Sequence, residues 1–173
     1  MREMKEPARV AELISTQRAT RQYSQQAVCE EDIRTILNAG RQAPSANNRQ
    51  PWHFLVVRER SRLQRLVQCG RSADQVERAA FAIALVTAHT GTEDDFDLGQ
   101  AAAYLQLAAW DLGIGSCIAW VHYAEKVSEV LHLPAELHCP VVLSFGYPAS
   151  QHKSQPPKKR KPFDEVVYWE HWP

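Results

Sequence analysis

Apolar positions along this chain follow two rhythms, and the two alternate from one end to the other. Steps of three and four residues mark helices. Val10, Leu13 and Ile14 share one face of a first helix that begins after Pro7. Glu30, Glu31 and Asp32 open a second helix, where acids suit the positive end of the dipole; Ile33, Ile36, Leu37 and Gly40 form its inner face. Leu63, Leu66 and Val67 mark a third, and residues 73–80 a short fourth. The Ala- and Leu-rich stretch 97–112 predicts the most buried helix, closed by Gly113 as a left-handed cap. Val127, Val130 and Leu131 face inward from a helix over 124–133, stopped by Pro134.

The second rhythm is the short, continuous apolar run of a strand covered on both faces: WHFLVV from Trp52, FAIALVTA from Phe81, SCIAWV from Ser116 and CPVVLSF from Cys139. The first of these is apolar on both faces, which predicts a central strand. The polar segment 89–96 reads as a loop, and so does the Pro-bearing stretch 149–157. A final run, 163–172, carries Val166, Val167, Tyr168, Trp169 and Trp172, which have to be covered by this chain or by a second copy. Intermixed helices and strands give a layered α/β or α+β fold.

Composition narrows the function without naming it. The 173 residues form one domain, with 45% apolar and 23% charged residues, a globular balance. Lys plus Arg and Asp plus Glu number 20 each, so no overall field draws the chain to nucleic acid or an anionic membrane. No run approaches the roughly 20 apolar residues of a membrane span, and Met1 to Glu6 has no signal-peptide core. Cys29, Cys69, Cys117 and Cys139 are far apart, without metal-ligand spacing, and read as buried free thiols of a reducing cytoplasm.

Candidate chemistry concentrates in three places. Residues 43–54, APSANNRQPWHF, hold Pro44 and Pro51 around Ser45, Asn47, Asn48 and Gln50, a rigid loop of neutral donors and acceptors. Taken alone, it is a well-capped surface turn. Trp52 and Phe54 read as core anchors and His53 as structural. Arg18 and Arg21 stand three apart in QRATRQY, and Lys158 to Lys161 form a basic cluster near the other end. Solvated arginines and a flexible basic tail, or a nucleic-acid patch, would explain these separately; a shared phosphate explains them together.

In order along the chain, QRATRQY (17–23), APSANNRQPWHF (43–54), LGIGSC (112–117), and GYP (146–148) with KKRKPF (158–163) resemble the signatures of the FMN-dependent nitroreductase family. The resemblance implies a single nitroreductase-like domain over 1–173, with a mostly antiparallel four-stranded sheet flanked by helices. It implies a C-terminal extension, 148–173, packed on the partner subunit of a homodimer and contributing an exchanged strand. It further implies FMN bound by Arg18, Ala19, Arg21, Lys158 and Arg160, by Pro44, Ser45, Asn48 and Gln50 reaching across from the partner, and by the chain at Ala119, Trp120 and Val121. NADH or NADPH would donate hydride, and a nitroaromatic, a quinone or another conjugated acceptor would receive it in ping-pong fashion. No side-chain catalyst or metal is implied. Neither nucleic acid nor membrane enters as a partner.

Departures from the pattern are local. Gln17 and Ala19 stand where many relatives have Arg and Ser, and Trp120-Val121-His122 stands where many have Gly-Gly-Phe. Trp120 is open to two readings, a pocket wall or a core residue. Two other functions stay in view: a flavin-binding protein without turnover, and a specialised relative that dehalogenates, cleaves flavin or oxidises a heterocycle.

Overall fold

The computed structural model describes residues 10–88, 91–149 and 159–172. Among these residues, α-helices and β-strands follow in the order α1 (Val10–Thr16), α2 (Glu30–Gly40), β1 (His53–Val57), α3 (Arg60–Val67), α4 (Asp74–Glu77), β2 (Phe81–Thr87), α5 (Thr92–Asp111), β3 (Gly115–Trp120), α6 (Ala124–Leu131) and β4 (His138–Gly146). The four strands form one antiparallel sheet in the order β1-β2-β4-β3.

Alternation along the central strands builds two cores, one on each face. Phe81, Ile83 and Leu85 of β2 join Leu143 and Phe145 of β4 beneath α2 and α5. Ala82, Ala84 and Val86 join Val142 beneath the helices carrying Leu63, Leu66, Val76, Val127 and Val130. The all-apolar runs seen in the sequence are therefore strands roofed by helices on both sides. Phe81 and Phe145 stack with centroids 4.9 Å apart.

Three expectations need correction. β1 is an edge strand, not a central one. It is apolar on both faces because both helical layers reach over it: Phe54 and Val56 pack on one core and Leu55 on the other. α5 begins at Thr92, inside the segment read as a loop; Gly91 precedes it, and Glu93, Asp94 and Asp95 fill its first turn, where the dipole favours acids. Cys29 is exposed, whereas Cys69, Cys117 and Cys139 are buried as free thiols.

The chain's ends are less covered than their apolar content predicted. Val10 and Ile14 on α1 are exposed, as are Phe163, Val166, Trp169 and Trp172. Among the described residues, 163–172 form a 3-10 turn at Phe163–Glu165 and irregular chain; the expected C-terminal strand is not formed within one protomer. Gly113 does end α5 as predicted, at φ 75°.

Candidate functional site

The segment after α1 lies along the sheet at the start of β3. Ala19 forms a parallel bridge with Ser116, and the Thr20 N–H donates to the Ser116 carbonyl at 2.8 Å. Tyr23 bridges Pro148, and the Ser24 N–H donates to Tyr147. Gly115 makes this approach possible: a Cβ there would run into the Thr20 side chain. Tyr23, buried, donates from its phenol to Ser144, whose hydroxyl in turn donates to the Cys117 carbonyl at 3.2 Å. Burial pushes the Tyr23 phenol well above its ordinary value, outweighing the opposing hydrogen bond to Ser144.

This pinned segment walls a cavity of about 270 Å³ lined by Gln17, Arg18, Ala19, Arg21, Gln106, Cys117, Ile118 and Arg160. Arg18 and Arg21 thus meet Arg160 from the opposite end of the chain. Lys158 lies outside the described residues. Among the described residues no carboxylate pairs with any of the three arginines. Arg18 also has a structural task, donating to the Ser15 and Gln17 carbonyls at 2.7 and 2.8 Å and so closing the end of α1. Arg21 and Arg160 have no such commitment among the described residues.

Past Arg21 a second cavity, about 590 Å³, is lined by Gln22, Arg71, Ser72, Asp74, Gln75, Glu77 and Arg78. Gln75, only 6% exposed, sets its amide nitrogen 3.7 Å from the Cys117 sulfur, which lines the first cavity. Arg21 and the Gln75–Cys117 pair therefore separate two parts of one polar depression. Nothing in the spacing of the middle segment had singled out Arg71 or Gln75, because they become neighbours of Arg21 only when α4 folds under β3.

The end of β3 has alternating roles. Val121 donates to Pro140 across the β3–β4 ladder at 3.0 Å, and Ser116 faces the other way, toward Thr20. Counting by twos, Ala119 and Val121 are committed to the ladder, while the N–H groups of Ile118 and Trp120 point out from the free edge of β3. The Trp120 side chain is 64% exposed, which rules out the core reading for this chain. Its carbonyl sits 3.1 Å from His122 Nδ1, and the His122 and Tyr123 N–H groups both donate to the Cys69 carbonyl. The His122 and Tyr123 backbone thus fastens the chain after β3 to the turn after α3.

The proline loop is elsewhere. Pro44, Ser45 and Ala46 line a third cavity, about 510 Å³, with Thr92, Glu93, Phe96, Asp97 and Gln100 of α5. Asn48 and Gln50 are exposed beside it. Trp52 and Phe54 stack at 6.4 Å, Trp52 within the core; His53 is exposed on β1. One protomer therefore gathers the basic residues and the β3 edge in one place and the proline loop in another. Among the described residues no group of His, Cys, Asp or Glu could hold a metal ion, and no helix is long and apolar enough to cross a membrane.

Known proteins match this fold. The model of the nitroreductase family matches residues 14–88 and 69–147. A protein of Archaeoglobus fulgidus, assigned as an NADH dehydrogenase/NAD(P)H nitroreductase, is 34% identical over 148 residues, 80% of this chain and 85% of the relative. One with the same assignment from Methanothermobacter thermautotrophicus is 32% identical over 173 residues, covering 94% of this chain and 87% of its own. The crystal structure of a similarly assigned protein from Bacteroides thetaiotaomicron matches with a TM-score of 0.84 at 27% identity, over 93% of this chain and 97% of that one. The sheet and the helices that cover it are thus a shared architecture, and the chain belongs to the nitroreductase family.

Proposed function

We propose that this protein is an FMN-dependent oxidoreductase that takes hydride from NADH or NADPH and delivers it to a conjugated acceptor such as a nitroaromatic or a quinone. One observation carries the reading: Arg18, Arg21 and Arg160, unpaired with any carboxylate among the described residues, line one cavity. Three cations without acidic partners suit a dianion, and Arg offers the bidentate fork that a phosphate accepts. The donor set therefore fits the phosphate end of FMN, with Lys158 as a fourth cation by its place in the sequence.

Hydride acceptance and delivery are the chemistry FMN supplies when held here. The chain's own tasks are binding, orientation and access. Arg21 and Arg160 would anchor the anion while Arg18 divides its donors between the anion and α1. The outward N–H groups of Ile118 and Trp120 are donors on the open edge of β3, next to that cavity. Arg71 and Gln75 offer further polar contacts past Arg21.

Pro44, Ser45, Asn48 and Gln50 would complete the site from a second protomer, because within one chain their cavity is distinct from that of the arginines. Exposed Phe96 and Tyr104 on α5, and Phe163, Trp169 and Trp172 in the C-terminal extension, are the apolar surface such a homodimer would bury. Three buried free thiols suit a reducing cytoplasm. The test is spectroscopic: purified protein should carry the yellow flavin absorbance, and NADH or NADPH should bleach it anaerobically until an acceptor restores it. A colourless protein that takes up no added FMN would refute the assignment, and flavin that neither nucleotide bleaches would leave a binding protein without turnover.

A further inference from the structure

We infer that Asp97 is a positioning residue for the proline loop, holding Ser45 and Asn48 in the one conformation from which they can meet the flavin; the inference rests on the cofactor reading proposed above. Asp97 is 3% exposed, yet it lies one turn into the exposed half of α5, beside Phe96 at 70%. Its Oδ2 accepts the Ala46 backbone N–H at 2.9 Å, and its Oδ1 faces Gln100 Nε2 at 3.4 Å. The same Gln100 nitrogen approaches the Pro44 carbonyl at 3.4 Å. No cation partners Asp97 among the described residues. Burying a carboxylate against an amide N–H and a side-chain amide is an expensive way to fix a loop, since a neutral acceptor would avoid the desolvation. What the charge adds is a strong, short and directional bond to one chosen amide.

The loop needs that bond. Asn47, Asn48 and Gln50 have φ of 52°, 55° and 51°, three non-glycine residues in the left-handed region within four positions. Asn tolerates this conformation because its short side chain bonds locally; Gln has no such advantage. Such backbone persists only where its surroundings over-determine it, and it clusters where a loop is held ready for a ligand. Here the restraints come from two sides. Within the loop, Ser45 Oγ accepts the Gln50 N–H at 3.0 Å. From α5, Asp97 and Gln100 grip residues 44–46, and Glu93 and Asp94 pair with Arg49 at 2.8 and 3.1 Å. Residues 47 and 48 project between the two grips, held by the turn bond from Asn48 N–H to the Ser45 carbonyl and by Gln50 Nε2 donating to the Asn48 carbonyl at 3.4 Å. The first half of α5 is therefore a bracket, and Asp97 is its buried pin.

The experiment uses full-length protein stripped of flavin and retitrated with FMN, beside hydrogen exchange of the flavin-free form. Asp97→Ala should raise the FMN dissociation constant about tenfold, the loss of one charge-assisted hydrogen bond, and should speed amide exchange at residues 45–50. Asp97→Asn should keep affinity within about threefold of the wild type, because its amide oxygen still accepts from Ala46. Wild-type FMN affinity in Asp97→Ala would overturn the inference, as would equal impairment of the Ala and Asn variants. If Asp97→Ala does not fold, the Gln100→Ala/Arg49→Ala pair, at less buried positions, decides by the same titration: unchanged affinity refutes the bracket and weakened affinity supports it. A wild-type protein that binds no FMN would instead refute the cofactor reading, a result the same titration reports separately.

Discussion

The Tyr23 phenol and the Ser144 hydroxyl meet at 2.8 Å across 121 residues of sequence, joining the basic N-terminal segment to the centre of the sheet. Ser144 passes the connection on to the Cys117 carbonyl, so the segment bearing Arg18 and Arg21 is anchored to β4 and β3 together. Removing the phenol in Tyr23→Phe should cost about 1 kcal/mol, the net worth of one buried hydrogen bond. A urea melt would show this as a lower midpoint with an unchanged slope, and an unshifted midpoint would contradict the anchoring role.

The three arginines should not be equivalent. Arg21→Ala with Arg160→Ala removes two cations with no structural bonds among the described residues, so the variant should fold and yet bind FMN about a hundredfold more weakly. Arg18→Ala should lose stability as well, because the guanidinium closes α1. Circular dichroism melts beside flavin titrations separate the two effects; full flavin occupancy in the double variant would defeat the phosphate assignment.

Alkaline pH should destabilise the fold earlier than its surface charges would. Burial pushes the Cys139 thiol from an ordinary 9.0 up to about 12 and raises the Tyr23 phenol from its ordinary 10.0. Between the unfolded and folded values the native state holds more protons than the unfolded chain, so stability falls as pH rises. The contribution is complete below pH 9.0 and is progressively lost toward about 12. Melting temperatures followed upward from about pH 8 should decline from about pH 9, and Cys139→Ala should flatten the first part of that decline.

Gly115→Ala should weaken the site and the fold at once. The added Cβ would strike Thr20, forcing the bridged segment off the sheet at a cost of about 1–3 kcal/mol. The change in FMN affinity should exceed that from an alanine at Gly99, where a Cβ meets nothing.

Truncation before Phe163 keeps Arg160 but removes Phe163, Trp169 and Trp172, all exposed in the protomer. Sedimentation velocity should show a weaker dimer, and an undiminished dimer would refute partner packing of the extension.

How much of this could be read from the sequence depends on range. The strands and the longer helices were legible because their apolar spacing is a local property. The edge position of β1 was not, since a run roofed by two helical layers looks the same as a run flanked by two strands. Arg18, Arg21 and Arg160 could be paired across the chain only by resemblance; in the fold they line one cavity. Asp97 and Gln75 gave no signal at all: a carboxylate in a long helix and a glutamine in a short one acquire meaning only from the Ala46 amide and the Cys117 sulfur they face. The acidic start of α5 was misread because three charges in a row resemble a loop as readily as a helix's first turn.

The separation of the arginine cavity from the proline-loop cavity bears on how the protein behaves on dilution. If a complete site needs one half from each of two chains, cofactor uptake and self-association are linked equilibria, each strengthening the other by mass action. Dilution that splits the pair should release flavin, and flavin in excess should hold the pair together. The apparent affinity for FMN would then depend on protein concentration, so stored cofactor becomes a measure of how much of the protein is assembled.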